Sequence, residues 1–209
     1  SASMKMILVL TLLSLAPFLL VMVTSFTRII VVLHFVRSAL GTQTSPPNQV
    51  LIGIALFLTL FIMAPVMTQI NKDCIQPYDK GKLTQEEALN AGLKPIRKFM
   101  FEQTNRKDIR LFMEIEKQSN DVSIEKEDEI PTLVLIPAFM ISELRIAFII
   151  GFLIYLPFIV IDMVVASTLM SMGMMMLPPT TISMPFKILL FVLADGWNLV
   201  IGQLVKTFY

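Results

Sequence analysis

The feature that most limits how this chain can fold is the uneven placement of its charges. Residues 71–130 hold 24 of the 33 Asp, Glu, Lys and Arg side chains, and the other 149 residues hold nine. Flanks so poor in charge cannot make a water-facing surface. The charged fraction of the whole chain, 16%, already lies below the roughly 25% of a soluble domain, and the mean hydropathy is +0.73. The pattern describes an all-α membrane protein in three parts: apolar helices over 1–70, a polar helical insert over 71–130, and apolar helices over 131–209. Helices follow because lipid requires backbone polar groups to be satisfied within the segment.

Within the first part, residues 6–23 form an apolar run at the lower length limit for crossing a hydrocarbon core. Lys5 ahead of that run resembles the start of a secretion signal, but no small-residue cleavage site follows, so a retained helix is expected. Ser45 is expected to cap a helix with Pro46 in its first turn, and residues 50–70 make the clearest long helix. In the insert, Thr84 and Glu87 fit a capping box, and Glu102 and Arg106 fit an i,i+4 pair. Residues 121–129 read as an acidic linker. Beyond Pro131 and Pro137 a helix is expected over 141–155, kinked at Pro157 and resuming over 161–169, and a last one from Pro185 to Phe208.

Between those last helices lies a dense run of thioethers. Five of the chain's 15 methionines fall in residues 170–179, at Met170, Met172, Met174, Met175 and Met176, and Pro178-Pro179 closes the run. Gly173 frees the backbone and the prolines forbid a continuing helix. The sulfurs therefore sit at a break between apolar helices. They either fill an irregular core or face lipid, or they form a soft surface that reshapes around partners, a use to which flexible, polarizable Met is suited.

Six ionisable groups lie inside or against apolar segments: Arg28, Glu143, Arg145, Asp162, Lys187 and Asp195. Each costs roughly 2.5–3.5 kcal/mol at a helix centre, so opposite-sign pairing among them is expected. Glu143 and Arg145, two residues apart, point to different faces of one helix and reach other neighbours. Such groups hold helices together, join subunits or line a path for protons or solutes. His34 lacks a second histidine for a metal, and the single cysteine, Cys74, excludes an intrachain disulfide. Phosphate loops, His-Glu-x-x-His pairs and nucleophile elbows are absent, so no catalytic residue, cofactor or metal is expected. A net charge of +1 gives no footprint for nucleic acid.

Several segments in one order resemble a known family. They are Thr24-Ser25-Phe26-Thr27-Arg28-Ile29-Ile30, Gly41-Thr42-Gln43 with Pro46-Pro47-Asn48-Gln49, and Phe61-Ile62-Met63-Ala64-Pro65. In the second half they are Ile136-Pro137-Ala138-Phe139 with Ser142-Glu143-Leu144-Arg145, Ile161-Asp162, the Met run, Met184-Pro185-Phe186-Lys187, and Ala194-Asp195-Gly196-Trp197. Together these resemble the FliP family of flagellar export-apparatus proteins, whose virulence counterparts belong to type III secretion injectisomes. Arg145 stands where Lys is common in the family.

The resemblance implies a subunit of a cone of helices in the bacterial inner membrane at the flagellar basal body, largely at periplasmic level, with the insert periplasmic. Several copies in a pentamer-like ring join FliQ and FliR, and other export-apparatus membrane proteins and the basal-body ring lie alongside. Unfolded flagellar proteins pass through the conduit. By motif, Met174, Met175 and Met176, with Met172 beside them, form its gasket. Family members usually carry a cleaved leader, so Ser1-Ala2-Ser3 fits the remnant of one. The competing expectation is an independent multi-pass transporter or channel whose Arg28, Glu143, Asp162 and Asp195 line a solute or proton path.

Overall fold

The computed structural model describes residues 2–117, 130–174 and 176–209. Among them every regular element is helical: α1 (Ala2–Val23), α2 (Phe26–Ala39), α3 (Asn48–Ile70), a π turn (Asn71–Ile75), α4 (Gln76–Asp79), α5 (Gln85–Gln103), α6 (Arg106–Lys117), α7 (Thr132–Ser171), α8 (Pro179–Leu193) and α9 (Gly196–Lys206). The acidic linker expected over 121–129 lies outside the described residues.

Several boundaries differ from expectation, each for a local reason. The start of α3 is set by Pro47, whose carbonyl accepts the N–H groups of Val50 and Leu51. Ser45 stands ahead of that start and does not cap it; its carbonyl accepts the Thr42 hydroxyl at 2.5 Å. Nor does that helix stop at the first charges. It runs through the π turn into α4, so Asn48–Asp79 is one path of 32 residues. Charged side chains lower hydropathy without breaking a helix, and the backbone stays helical through Ile75 and Gln76 up to Pro77 in α4.

The segments expected over 141–155 and 161–169 are one helix. α7 has 40 residues and continues through Pro137 and Pro157. In an apolar setting a full break would expose more backbone polar groups than the one bond each proline removes. The last helix begins at Pro179, six residues earlier than expected, and it is broken at Ala194–Asp195, where α8 and α9 meet at 65°. Glu102 and Arg106 fall on different helices because Thr104 is extended between them, and Glu102 faces Lys98 at 3.8 Å instead.

The chain forms two compact units. One comprises Ser1–Thr27 and Thr59–Glu143. Its core gathers Phe99, Met100, Ile109, Met113, Ile130, Leu135 and Phe139, all buried, with the Phe99 and Phe139 rings edge to face at 6.0 Å. The expected capping box is present: the Thr84 N–H donates to Glu87 Oε2 at 2.8 Å and the Glu87 N–H to Thr84 Oγ1 at 3.3 Å. Ser142 on α7 ties down α6. Its Oγ accepts the Asn105 N–H at 2.9 Å and donates to Asp108 Oδ2 at 2.6 Å. Arg97 donates to the Ile130 carbonyl at 2.6 Å and to the Thr132 hydroxyl.

The other unit comprises Arg28–Leu58 and Leu144–Tyr209. Val36, Ala39, Leu40, Phe158 and Phe191 form its buried cluster, with Ile154, Tyr155, Trp197 and Val200 packed against it. α2 approaches α7 at Gly151, where a Cβ would meet the Phe35 ring at 2.4 Å.

Among the described residues, Asn48–Asp79 and Thr132–Ser171 are each long and apolar enough to cross a membrane, and counting bent pairs such as α8 with α9 raises the number to four. Large side chains on these helices face outward, among them Phe57, Phe61, Phe148, Phe152 and Val160. Exposed apolar area on this scale requires lipid or another protein.

Candidate gate loop and buried charges

The Met run sits on a structured break. As α7 ends, the Met174 N–H reaches the Leu169 carbonyl at 3.0 Å and the Gly173 N–H reaches that of Met170 at 3.1 Å. Gly173 has φ +75°. These two bonds with a left-handed glycine make a Schellman motif, which satisfies the last carbonyls of a helix while turning the chain away. Pro178 is extended and Pro179 opens α8. Between the helices, Met172, Met174 and Met176 are 60%, 45% and 99% exposed. Met175 lies outside the described residues. The thioethers of the described three are thus presented outward from the turn, with little of their own chain around them.

Among the six expected charges, Lys187 and Asp162 meet directly. Lys187, only 2% exposed, donates from Nζ to Asp162 Oδ2 at 2.5 Å, while the Asp162 side chain keeps 24% of its surface. The other Asp162 oxygen accepts the Ser183 hydroxyl at 2.5 Å. Ser183 and Lys187 are four apart, so α8 offers both donors from one face. The arrangement staples α7 to α8, the two arms of the Met loop. Arg28 is buried. Its Nη1 donates to the Thr207 carbonyl at 3.1 Å and hydroxyl at 3.0 Å, and its guanidinium lies 3.9 Å above the Phe208 ring, a cation–π geometry.

Glu143 and Arg145 occupy opposite environments, as their spacing requires: Glu143 is buried and Arg145 exposed. Asp195 is exposed, adopts left-handed backbone (φ 49°, ψ 47°) and accepts from Asn198 Nδ2 at 3.0 Å. His34 Nδ1 lies 2.9 Å from Arg37 Nη2. The always-protonated guanidinium can only donate, so this ring nitrogen accepts. Among the described residues no group of three His, Cys, Asp or Glu converges in a way that could hold a metal.

Ser183, Thr207 and Phe208 complete these charge sites, and sequence reasoning missed them. Ser183 had a usable signal, since it stands one helical turn before Lys187. Nothing in the sequence ties Thr207 or Phe208 to Arg28, 179 residues away.

A profile of the FliP family matches residues 9–204. The chain is 53% identical over 208 residues to the flagellar biosynthetic protein FliP of Bacillus subtilis (strain 168), covering 100% of this chain and 93% of that one. Against the protein of the same name from Pectobacterium carotovorum subsp. carotovorum it is 48% identical over 207 residues, covering 99% and 79%. The Aquifex aeolicus (strain VF5) protein is 48% identical over 206 residues, covering 99% and 86%. These are names of components of flagellar biosynthesis, not of enzymes. With the likeness running through both apolar parts and the insert, the chain belongs to the FliP family.

Proposed function

We propose that this chain is a pore-forming subunit of the gate that exports unfolded flagellar proteins. In this reading several copies form a pentamer-like ring with FliQ and FliR, in the inner membrane at the basal body and largely at periplasmic level. The Met loop closes the conduit. The observation that carries the reading is the exposure of Met172, Met174 and Met176 on a turn that the backbone itself holds off the helices. A gate for many unfolded chains needs side chains that close without sequence-specific contacts. Apolar constriction excludes ions by dewetting, and unbranched thioethers repack around whatever passes.

The charges divide in the same reading. Glu143 and Lys187 are enclosed by their own chain and hold helices, whereas the exposed faces of Arg145 and Asp195 lie where a neighbouring subunit can reach them. Replacing Met174, Met175 and Met176 together with Ala should raise ion conductance through membranes carrying the assembled complex while its mass stays the same. An unchanged conductance removes the gasket. A native mass corresponding to a lone copy or a simple dimer that takes up solute favours the independent transporter.

A further inference from the structure

The polar insert carries both a socket and a knob. The π turn, α4 and α5 enclose an open groove of about 810 Å³ lined by Cys74, Tyr78, Glu86, Leu89, Leu93 and Ile96, among others. Leu89 and Leu93 remain 65% and 39% exposed there. On α6, Leu111 and Ile115 are 47% and 63% exposed, while Ile109 and Met113 on the same helix are buried. α6 is thus apolar on two sides and only one of them is used by the fold.

The two surfaces match in order as well as in chemistry. Along α5 the groove reads Glu86, Leu89, Leu93, Ile96, an acid followed by three apolar residues at i, i+3, i+7 and i+10. Along α6 the exposed stripe reads Lys107, Leu111, Ile115, a base followed by two apolar residues at i, i+4 and i+8. At 1.5 Å per residue the stripes are about 15 and 12 Å long. Laid side by side in the same direction, Lys107 meets Glu86 and the leucine and isoleucine fall among Leu89, Leu93 and Ile96. We infer that α6 of one copy docks in the α4–α5 groove of the next copy. Two different patches meeting in this way make a head-to-tail contact, which generates a ring when the rotation closes.

The inference rests on the several-copy reading above, and it can fail separately from it. Cys74 lines the groove and is the only cysteine in the chain, so a single Ile115→Cys change supplies the partner thiol. Oxidation of the assembled complex carrying Ile115→Cys should produce a ladder of covalently linked copies. The ladder should vanish on reduction and in a Cys74→Ser background. Lys107→Glu should lower its yield about fivefold, the upper range for an exposed ion pair, and adding Glu86→Lys should restore it. Leu111→Cys is the second variant if Ile115→Cys does not assemble. If neither assembles, the charge pair alone decides: a double reversal that assembles no better than Lys107→Glu overturns the contact. So does a complex of normal mass that yields only monomers, or thiols linked to a different protein. A complex containing one copy overturns both this contact and the several-copy reading.

Discussion

The C-terminal region turns twice, and the two turns use the same backbone conformation to different ends. At the first, between α7 and α8, the left-handed residue is Gly173, around which a Cβ would find open space within 4 Å. At the second, between α8 and α9, the left-handed residue is Asp195, and its neighbour Gly196 is pressed beneath Phe191, whose ring would lie 2.3 Å from a Cβ. The first turn is encoded by its own few residues and leaves its side chains outside. The second is imposed by packing: Phe191 is buried between Phe158 and Trp197, at ring distances of 6.3 and 5.2 Å. A turn set by its own residues and an elbow set by packing thus share a dihedral and little else.

Removing the staple beneath the first turn should have the largest effect. Asp162→Ala leaves the Lys187 ammonium enclosed without its carboxylate and should destabilise by about 4 kcal/mol. Lys187→Met should lose less, since Asp162 is partly exposed and keeps the Ser183 hydroxyl. Denaturant unfolding of the purified complex would rank them, and equal losses would show that the staple is not asymmetric.

Next comes the elbow. Gly196→Ala should destabilise by about 3 kcal/mol through overpacking against Phe191, whereas Gly173→Ala should lose only about 1 kcal/mol, the steric penalty of a left-handed L-residue. If thermal unfolding found the two equal, the distinction between a local turn and a packed one would fail. Asp195→Gly sharpens the same contrast by relieving the strain, and should raise the unfolding free energy slightly, by up to about 1 kcal/mol.

The smallest effect belongs to a junction that is local in the manner of the Met turn, the start of α5. The Thr84 N–H, and then its hydroxyl, hold the Glu87 carboxyl below the usual carboxylate range. A lowered folded pKa means that the capping contribution is complete above the unfolded carboxyl value and is lost as pH falls through the lowered one. Amide exchange in the first turn of α5, corrected for intrinsic rates, should show protection fading at acid pH in the parent and flat in Glu87→Gln. Fading in both would sever the link to Glu87.

What the sequence made legible follows the same division. The helical class, the Thr84–Glu87 box and the Gly173/Pro178 break were readable because each depends on residues within a few positions of one another. The continuity of α7 through Pro137 and Pro157 was not, because proline's local penalty was outweighed by an apolar environment that a window of residues does not display. The Asp195 elbow was hidden for a related reason. Asp-Gly reads as an ordinary turn dipeptide, and only the Phe191 ring fixes its angle. For the charges, need could be read but partners could not: Asp162 with Lys187 spans 25 residues, and Arg28 with Thr207 spans 179.

The length of α7 has a further consequence. Forty residues at 1.5 Å each trace about 60 Å, roughly twice the hydrocarbon thickness of a bilayer, about 30 Å. Its most apolar stretch has only 11% of its residues buried within the chain, and a stretch of that kind alone fills one thickness of lipid. About half of α7 thus has to run beyond a single hydrocarbon layer, and the apolar side chains it carries there need a cover that is not acyl chain.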